Sequence, residues 1–189
     1  MKTAMALIVG ESDESVAALK EALETLQYTA VYCYYSTLEL KTHDSNIVPE
    51  VLFVNVALLN DQVLSGYVKS LYPDIPVIVL CEHEELLLAL EAIGGKADNY
   101  LIRNSKCMRK IAGAIRFASC RLQQPGLHAE YVKWFHTLIP RAILDVANIM
   151  FFVDYEDPDN QVNSQVKKAV ARVFEDLDEE IDARLRNVV

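Results

Sequence analysis

Short apolar runs alternate along the first part of the chain with segments in which apolar residues recur every three or four positions. The runs cover residues 4–9, 29–34, 51–56, 77–81 and 99–102. Continuous apolar runs are typical of parallel strands, because helices cover both faces of such a sheet. Helices are predicted between the runs, around residues 16–26, 36–40, 61–71, 84–93 and 105–122. The pattern therefore predicts an α/β domain of five βα units.

A polar, helix-breaking stretch at residues 123–126 separates this region from a tail without strand-like runs. The tail predicts a helix over 128–139, a second helix with Pro140 in its first turn, and a long third helix from about Val162. We therefore expect one domain over 1–123 and a helical extension over 124–189 that serves dimerisation or output. Three helices bury only a small core, so the extension should pack on the first domain or form a homodimer.

The ends of the predicted strands bring candidate site residues together. Sheets of this kind place their sites at the carboxyl ends of the strands, where the strand order switches. The residues there are Gly10 and Glu11 after the first run, Asn55 in the third, Cys81 in the fourth and Arg103 after the fifth. We expect these five positions to converge in space.

The runs at 4–11, 50–55, 76–81 and 97–103 resemble the receiver domain of two-component response regulators, over residues 3 to about 123. The resemblance implies a (βα)5 flavodoxin-like, doubly wound parallel sheet with strand order 2-1-3-4-5. It also implies a site in which two acidic residues bind magnesium, an aspartate accepts phosphate, and a hydroxyl residue and a lysine contact the phosphate.

The sequence departs from that pattern at nearly every site position. Gly10 leaves Glu11 as the only acid after the first strand, and Asn55 offers a neutral amide in place of the phosphoacceptor aspartate. Cys81 replaces the hydroxyl residue, and Arg103 replaces the lysine with a planar, forked cation. A hard divalent cation seeks anionic oxygen ligands, so we expect no bound metal or cofactor and no catalysis. The resemblance then implies a degenerate pseudo-receiver.

Arg103 and a residue of the fifth strand, Tyr100, each have two interpretations. Arg103 either pairs with Glu11 and holds the crevice closed, or is solvated as exposed arginines usually are. Tyr100 matches the family's switch aromatic, but without a phosphoryl trigger we expect a half-buried strand tyrosine with a hydrated hydroxyl.

Composition limits the classes of partner. The 189 residues have a net charge of −9, and residues 124–189 hold 7 basic against 12 acidic side chains, so nucleic acid is an unlikely partner. Four scattered cysteines suit a reducing, cytoplasmic setting. The N-terminal apolar run is too short for a membrane span of roughly 20 residues. The acidic segment 154–160 lacks the spacing of a calcium-binding loop.

The expected function is a non-enzymatic signalling regulator that acts by protein contact, independently of phosphorylation. Its docking face would carry Lys106, Arg109 and Lys110 and would suit an acidic partner, including the chain's own residues 175–182, in cis or across a dimer. Two alternatives remain open at this stage. The first alternative is that the domain is phosphorylated at a noncanonical residue. The second alternative is that the altered crevice binds a small molecule.

Overall fold

A computed structural model of the chain describes residues 5–10, 13–35, 39, 48–59, 73–93, 95–103, 107–151 and 161–186. The helices predicted at 36–40 and 61–71, the acidic segment 154–160, Glu11 and Lys106 fall outside these residues, except for Glu39. The side chains of Arg109 and His83 are also outside the described part.

Five parallel strands form one sheet in the order β2-β1-β3-β4-β5. They are β1 (Met5–Val9), β2 (Ala30–Tyr34), β3 (Val51–Asn55), β4 (Val77–Cys81) and β5 (Asn99–Ile102). The predicted fold class and strand order are therefore confirmed. Every side chain of β4, and all but the last of β3, is buried. Helices cover both faces of these central strands, which explains why their sequences are continuously apolar.

Six helices are described. They are α1 (Asp13–Thr25), α2 (Val56–Leu59), α3 (Leu86–Ala92), α4 (Cys107–Gln123), α5 (Pro125–Phe151) and α6 (Gln161–Arg186), and a 3-10 turn (His83–Glu85) precedes α3. One sheet face packs on α1 and α4, around Phe53, Leu23 and Ala118. The other face packs on α3 and on both C-terminal helices, around Leu90, Phe135 and Ile181. The extension therefore completes the core of the sheet, and the domain boundary at 123 and 124 stays a prediction.

The prediction that a new helix begins at Pro140 is wrong, because α5 runs unbroken through this residue. Proline removes one helical hydrogen bond and costs about 3 kcal/mol inside a helix. Here the flanking residues Phe135, Leu138 and Ala142 are buried in the core, and their burial offsets that cost. The break predicted at 123–126 is present but short, since Gln124 alone separates α4 from α5.

Across the described residues, no helix is both long enough and apolar enough to cross a membrane.

Candidate functional site

An apolar side chain fills the space beside Gly10, the first residue after β1. Gly10 has a φ of +81°, and a Cβ atom added there would overlap Leu58 Cδ1 and lie 3.3 Å from Asn55 Cβ. Leu58 belongs to α2 and packs against the core. An acidic residue in place of Gly10 would therefore need a strained backbone and a displaced leucine.

Asn55 ends β3, as predicted, and its side chain is already engaged. Its Oδ1 accepts a hydrogen bond of 2.8 Å from the backbone N–H of Ala57, in the first turn of α2. Asparagine is a favourable residue for this local bond, which caps the first turn of α2. Position 55 therefore has a structural role in the strand-to-helix turn.

Cys81 ends β4 and is fully buried, so its thiol does not offer the accessible hydroxyl that a receiver has there. Burial raises the pKa of the Cys81 thiol, and the nearby Glu85 carboxylate raises it further. Its Sγ lies 3.9 Å from the carbonyl oxygen of Leu101 on β5. A protonated, buried thiol is a poor nucleophile and a poor metal ligand.

Arg103 follows β5 and is ion-paired with Glu82, which precedes the 3-10 turn, and with Glu85, the last residue of that turn. Its Nε lies 3.0 Å from Glu82 Oε1 and its Nη2 lies 3.4 Å from Glu85 Oε2. The side chain is only 20% exposed, so the solvated interpretation is wrong. Whether Arg103 also pairs with Glu11 stays a prediction, because Glu11 lies outside the described residues.

Four of the five predicted site positions lie among the described residues, and the fifth, Glu11, lies outside them. Gly10, Asn55, Cys81 and Arg103 lie at the carboxyl edge of the sheet, as predicted, but they supply no carboxylate between them. Among the described residues, no group of three or more histidine, cysteine or acidic side chains could hold a metal ion. What these positions can do is close the edge by packing and by ion pairs.

A second cluster lies on β5, where the last helix covers the sheet. Tyr100 Oη donates a hydrogen bond of 3.0 Å to Asp178 Oδ1 on α6, and both side chains are buried. Lys110 Nζ on α4 lies 2.6 Å from Asp178 Oδ2 and 2.6 Å from Asp182 Oδ2. The expectation of a hydrated Tyr100 hydroxyl is therefore wrong, because α6 excludes water and supplies the acceptor.

The pKa values of this cluster follow from burial and charge. Burial raises the pKa of Tyr100 well above 10.0, and the charge and hydrogen bond of Asp178 add to this effect. Burial lowers the pKa of Lys110, but its bonds to Asp178 and Asp182 outweigh that, so its pKa is raised. Tyr100 is therefore neutral and Lys110 charged at neutral pH.

Contacts between the two C-terminal helices hold α6 in this position. Arg141 on α5 makes two hydrogen bonds to the Glu180 carboxylate, at 2.5 and 3.3 Å. The Arg184 guanidinium carbon lies 4.4 Å from the ring centre of Trp134, a distance suited to a cation–π contact. Phe174, Leu177 and Ile181 of α6 are buried in the core. The acidic face of α6 is thus fixed over Tyr100 and Lys110.

Sequence reasoning missed some residues that shape both clusters. Nothing in the sequence marks Leu58 as the side chain that fills the space beside Gly10. Asp178 falls within residues 175–182, which we expected to suit the docking face, but its burial was not predicted. A signal was present, because Asp178 and Asp182 are four residues apart beside the apolar stripe of Phe174, Leu177 and Ile181.

Comparison with solved structures finds receiver domains with the same fold. The N-terminal signal receiver domain of a two-component response regulator from Bacteroides fragilis has a TM-score of 0.53 and 18% identity, over 62% of this chain and 98% of that one. Full-length FixJ from B. japonicum has a TM-score of 0.54 and 13% identity, over 98% of this chain and 91% of that one. An uncharacterized protein from Neptuniibacter caesariensis has a TM-score of 0.52 and 16% identity, over 65% of this chain and 95% of that one.

Identities this low establish the fold and nothing further. The chain has no match among family models, and none of sufficient significance among curated proteins.

Proposed function

We propose that this chain is a non-enzymatic, cytoplasmic signal-transduction regulator that acts by protein contact without being phosphorylated. The observation that carries the proposal is Leu58, whose side chain fills the space that a side chain at position 10 would need, so that Glu11 is the only acid directly after β1. Asn55 supports it, because its neutral amide caps α2 and offers no ionised oxygen to a metal ion. The likeness to receiver domains supports a signalling role, and the free thiols of Cys33, Cys81 and Cys120 fit a reducing compartment.

Acetyl phosphate with magnesium tests this proposal directly. We expect the intact mass of the full chain to stay unchanged, while a receiver domain with an aspartate at the third strand gains a phosphoryl group in parallel. The variant Asn55→Asp is the informative control, because Leu58 still excludes an acid from position 10, and we expect this variant to stay unmodified as well. A phosphoryl adduct on the wild-type chain at any residue would contradict the proposal and support noncanonical phosphorylation.

The partner that we propose is a protein with an acidic helix that exchanges with α6. In this structure α6 places Asp178 and Asp182 on Lys110, so a helix with two acids four residues apart suits the same face. Lys106 and Arg109 would extend this basic face. The contacts of the chain's own tail with Lys110 support an acidic helix as the partner.

Charge reversal at Lys110 tests the exchange. Trp134 is the only tryptophan of the chain and contacts Arg184 of α6, so its fluorescence reports how α6 packs on α5. We expect Lys110→Glu to release α6, to change Trp134 emission and to increase amide exchange across residues 161–186. Lys20→Glu makes the same charge change at an exposed position on α1 and should alter neither measurement. Equal Trp134 emission and equal amide exchange in the two variants would contradict the proposed docking face.

A homodimer is a further part of the proposal. Ile143 and Leu144 on α5 are 50% and 63% exposed, which leaves two adjacent apolar side chains for a second copy to cover. Light scattering should give twice the chain mass, and Leu144→Asp should halve it. A monomeric wild-type chain would contradict the homodimer and would leave the proposals on phosphorylation and on Lys110 unaffected.

A further inference from the structure

A cleft opens at the amino ends of β4 and β5, at the opposite edge of the sheet from the degenerate receiver site. Its volume is about 640 Å³, and it lies between the start of β4, the turn before β5 and the first turns of α5. Ligand pockets usually have volumes of about 300–1,000 Å³. The cleft is therefore large enough for a small organic molecule.

The wall of the cleft is apolar with an excess of positive charge. Ile75, Val77, Ala97, Ala129 and Val132 give it an apolar lining. The charged residues of the described wall are Lys96, Arg121 and Lys133 against Asp98. Three cations facing one acid favour a ligand that carries negative charge.

The single acid of this wall is not available to repel an anion. Asp98 is 5% exposed, its Oδ2 accepts a hydrogen bond of 2.8 Å from the Val77 N–H, and its Oδ1 lies 2.6 Å from Arg121 Nε. The paired charges of Asp98 and Arg121 cancel at a distance. Lys96 Nζ donates a hydrogen bond of 2.9 Å to the carbonyl oxygen of Leu59, so the exposed ammonium group of Lys133 is the cation of the wall that is left for an anionic ligand.

The polar groups at the base of the cleft are held in place before any ligand binds. His128 is 5% exposed, and its Nε2 lies 3.2 Å from the carbonyl oxygen of Asp98. Its ring also contacts Phe117, with the ring centres 5.5 Å apart. Arg121 is fixed by bonds from Nη2 to the carbonyl oxygens of Pro73 and Ile75. Such preorganisation lowers the entropic cost of binding.

We propose that this cleft binds a small amphiphilic anion, with an apolar body between Val77 and Val132 and an anionic head group near Lys133. The class covers organic carboxylates and sulfonates of a size that the cleft admits. Because the cleft lies where α5 meets the sheet, a bound anion would stabilise the docked C-terminal helices. This site is independent of the proposed function, since it uses neither the strand-end residues nor Lys110.

Fluorescence titration with anilinonaphthalene sulfonate tests the proposal on the full chain, because this anion emits strongly in an apolar site. We expect saturable binding to one site, displaced by decanoate and not by decyltrimethylammonium, which has the same alkyl length and the opposite charge. Lys133→Glu should weaken binding at least about tenfold, a loss of about 1.4 kcal/mol. Lys20→Glu is the matched control and should change the affinity by less than about twofold.

A blocking variant separates the cleft from other apolar surface. Ala129 is exposed at the rim, so Ala129→Trp should cover the opening without disturbing the core, and circular dichroism checks that the variant folds. We expect this variant to abolish the fluorescence change. Undiminished binding in Ala129→Trp, equal binding in Lys133→Glu and wild type, equal displacement by the cation, or no binding at all would each overturn the proposal.

Discussion

Tyr100 and Asp178 are separated by 78 residues in sequence, and their side chains meet in a buried hydrogen bond of 3.0 Å. The bond joins the last strand of the sheet to the last helix of the chain. A buried carboxylate needs such partners, because an unpaired charge in the core is strongly destabilising. This bond and the two bonds of Lys110 therefore couple the packing of α6 to the sheet.

Loss of stability at alkaline pH is the first prediction. The pKa of Tyr100 is raised above its unfolded value of 10.0, so above that pH the folded state keeps a proton that the unfolded state loses. The stabilisation is complete below about pH 10 and disappears as the pH rises towards the folded pKa. Tyr100→Phe should lower the free energy of unfolding by about 1 kcal/mol at pH 8 and decline less steeply above about pH 10.

Urea unfolding at a series of pH values measures both effects. Tyr35→Phe removes the same hydroxyl from a side chain that is 51% exposed, and it should change the free energy of unfolding by less than about 0.5 kcal/mol. Parallel alkaline slopes for wild type and Tyr100→Phe would show that Tyr100 does not cause the decline.

The second prediction compares a buried ion pair with an exposed one. Lys110→Met leaves Asp178, which is 7% exposed, without its cation and should lower the free energy of unfolding by about 2–3 kcal/mol. Arg141→Met breaks the pair with Glu180, in which both side chains are more than 40% exposed, and should cost less than about 1 kcal/mol.

Denaturant titration at low and high salt distinguishes the two pairs. Salt should weaken the Arg141 pair more than the Lys110 cluster, because solvent ions screen exposed charges. Asp178→Asn in the Lys110→Met background should recover part of the loss by removing the unpaired charge. Equal costs at Lys110 and Arg141 would mean that α6 does not bury this cluster in solution.

The third prediction concerns the filled space at the end of β1. Gly10→Ala should lower the free energy of unfolding by about 1–3 kcal/mol, from the strained φ of +81° and from overlap with Leu58. Leu58→Ala removes the overlap but not the strain. The double variant should therefore be more stable than the sum of the single effects predicts, by at least about 0.5 kcal/mol. Strict additivity in a double-mutant cycle would indicate that Leu58 does not fill this space.

The strands could be predicted because their signal is local. Each apolar run from 51–55, 77–81 and 99–102 is buried between two layers of helices, and a run of that kind has few other stable positions. The strand order came from the resemblance and not from the runs themselves. Convergence of the strand ends followed from the parallel sheet alone.

The side-chain contacts could not be predicted because they depend on long-range packing. The environment of Tyr100 is set by α6, which begins 61 residues later in the chain. The continuity of α5 through Pro140 depends on core contacts of Phe135 and Ala142 that no local propensity reports. Arg103 lies close to Glu82 and Glu85 because the 3-10 turn follows β4, a detail beyond the hydrophobic pattern.

The reactivity of the cysteine thiols gives the last prediction. Cys81 is fully buried and its thiol pKa is raised, first by burial and then by Glu85, whereas Cys33 and Cys120 are partly exposed. Thiol reagents attack through the thiolate, so Cys81 should react at least about a hundredfold more slowly than Cys33 or Cys120 in the native chain. Peptide mapping after timed labelling with iodoacetamide measures each rate, and labelling in urea should equalise them. Rapid native labelling of Cys81 would mean that the carboxyl end of β4 opens to solvent.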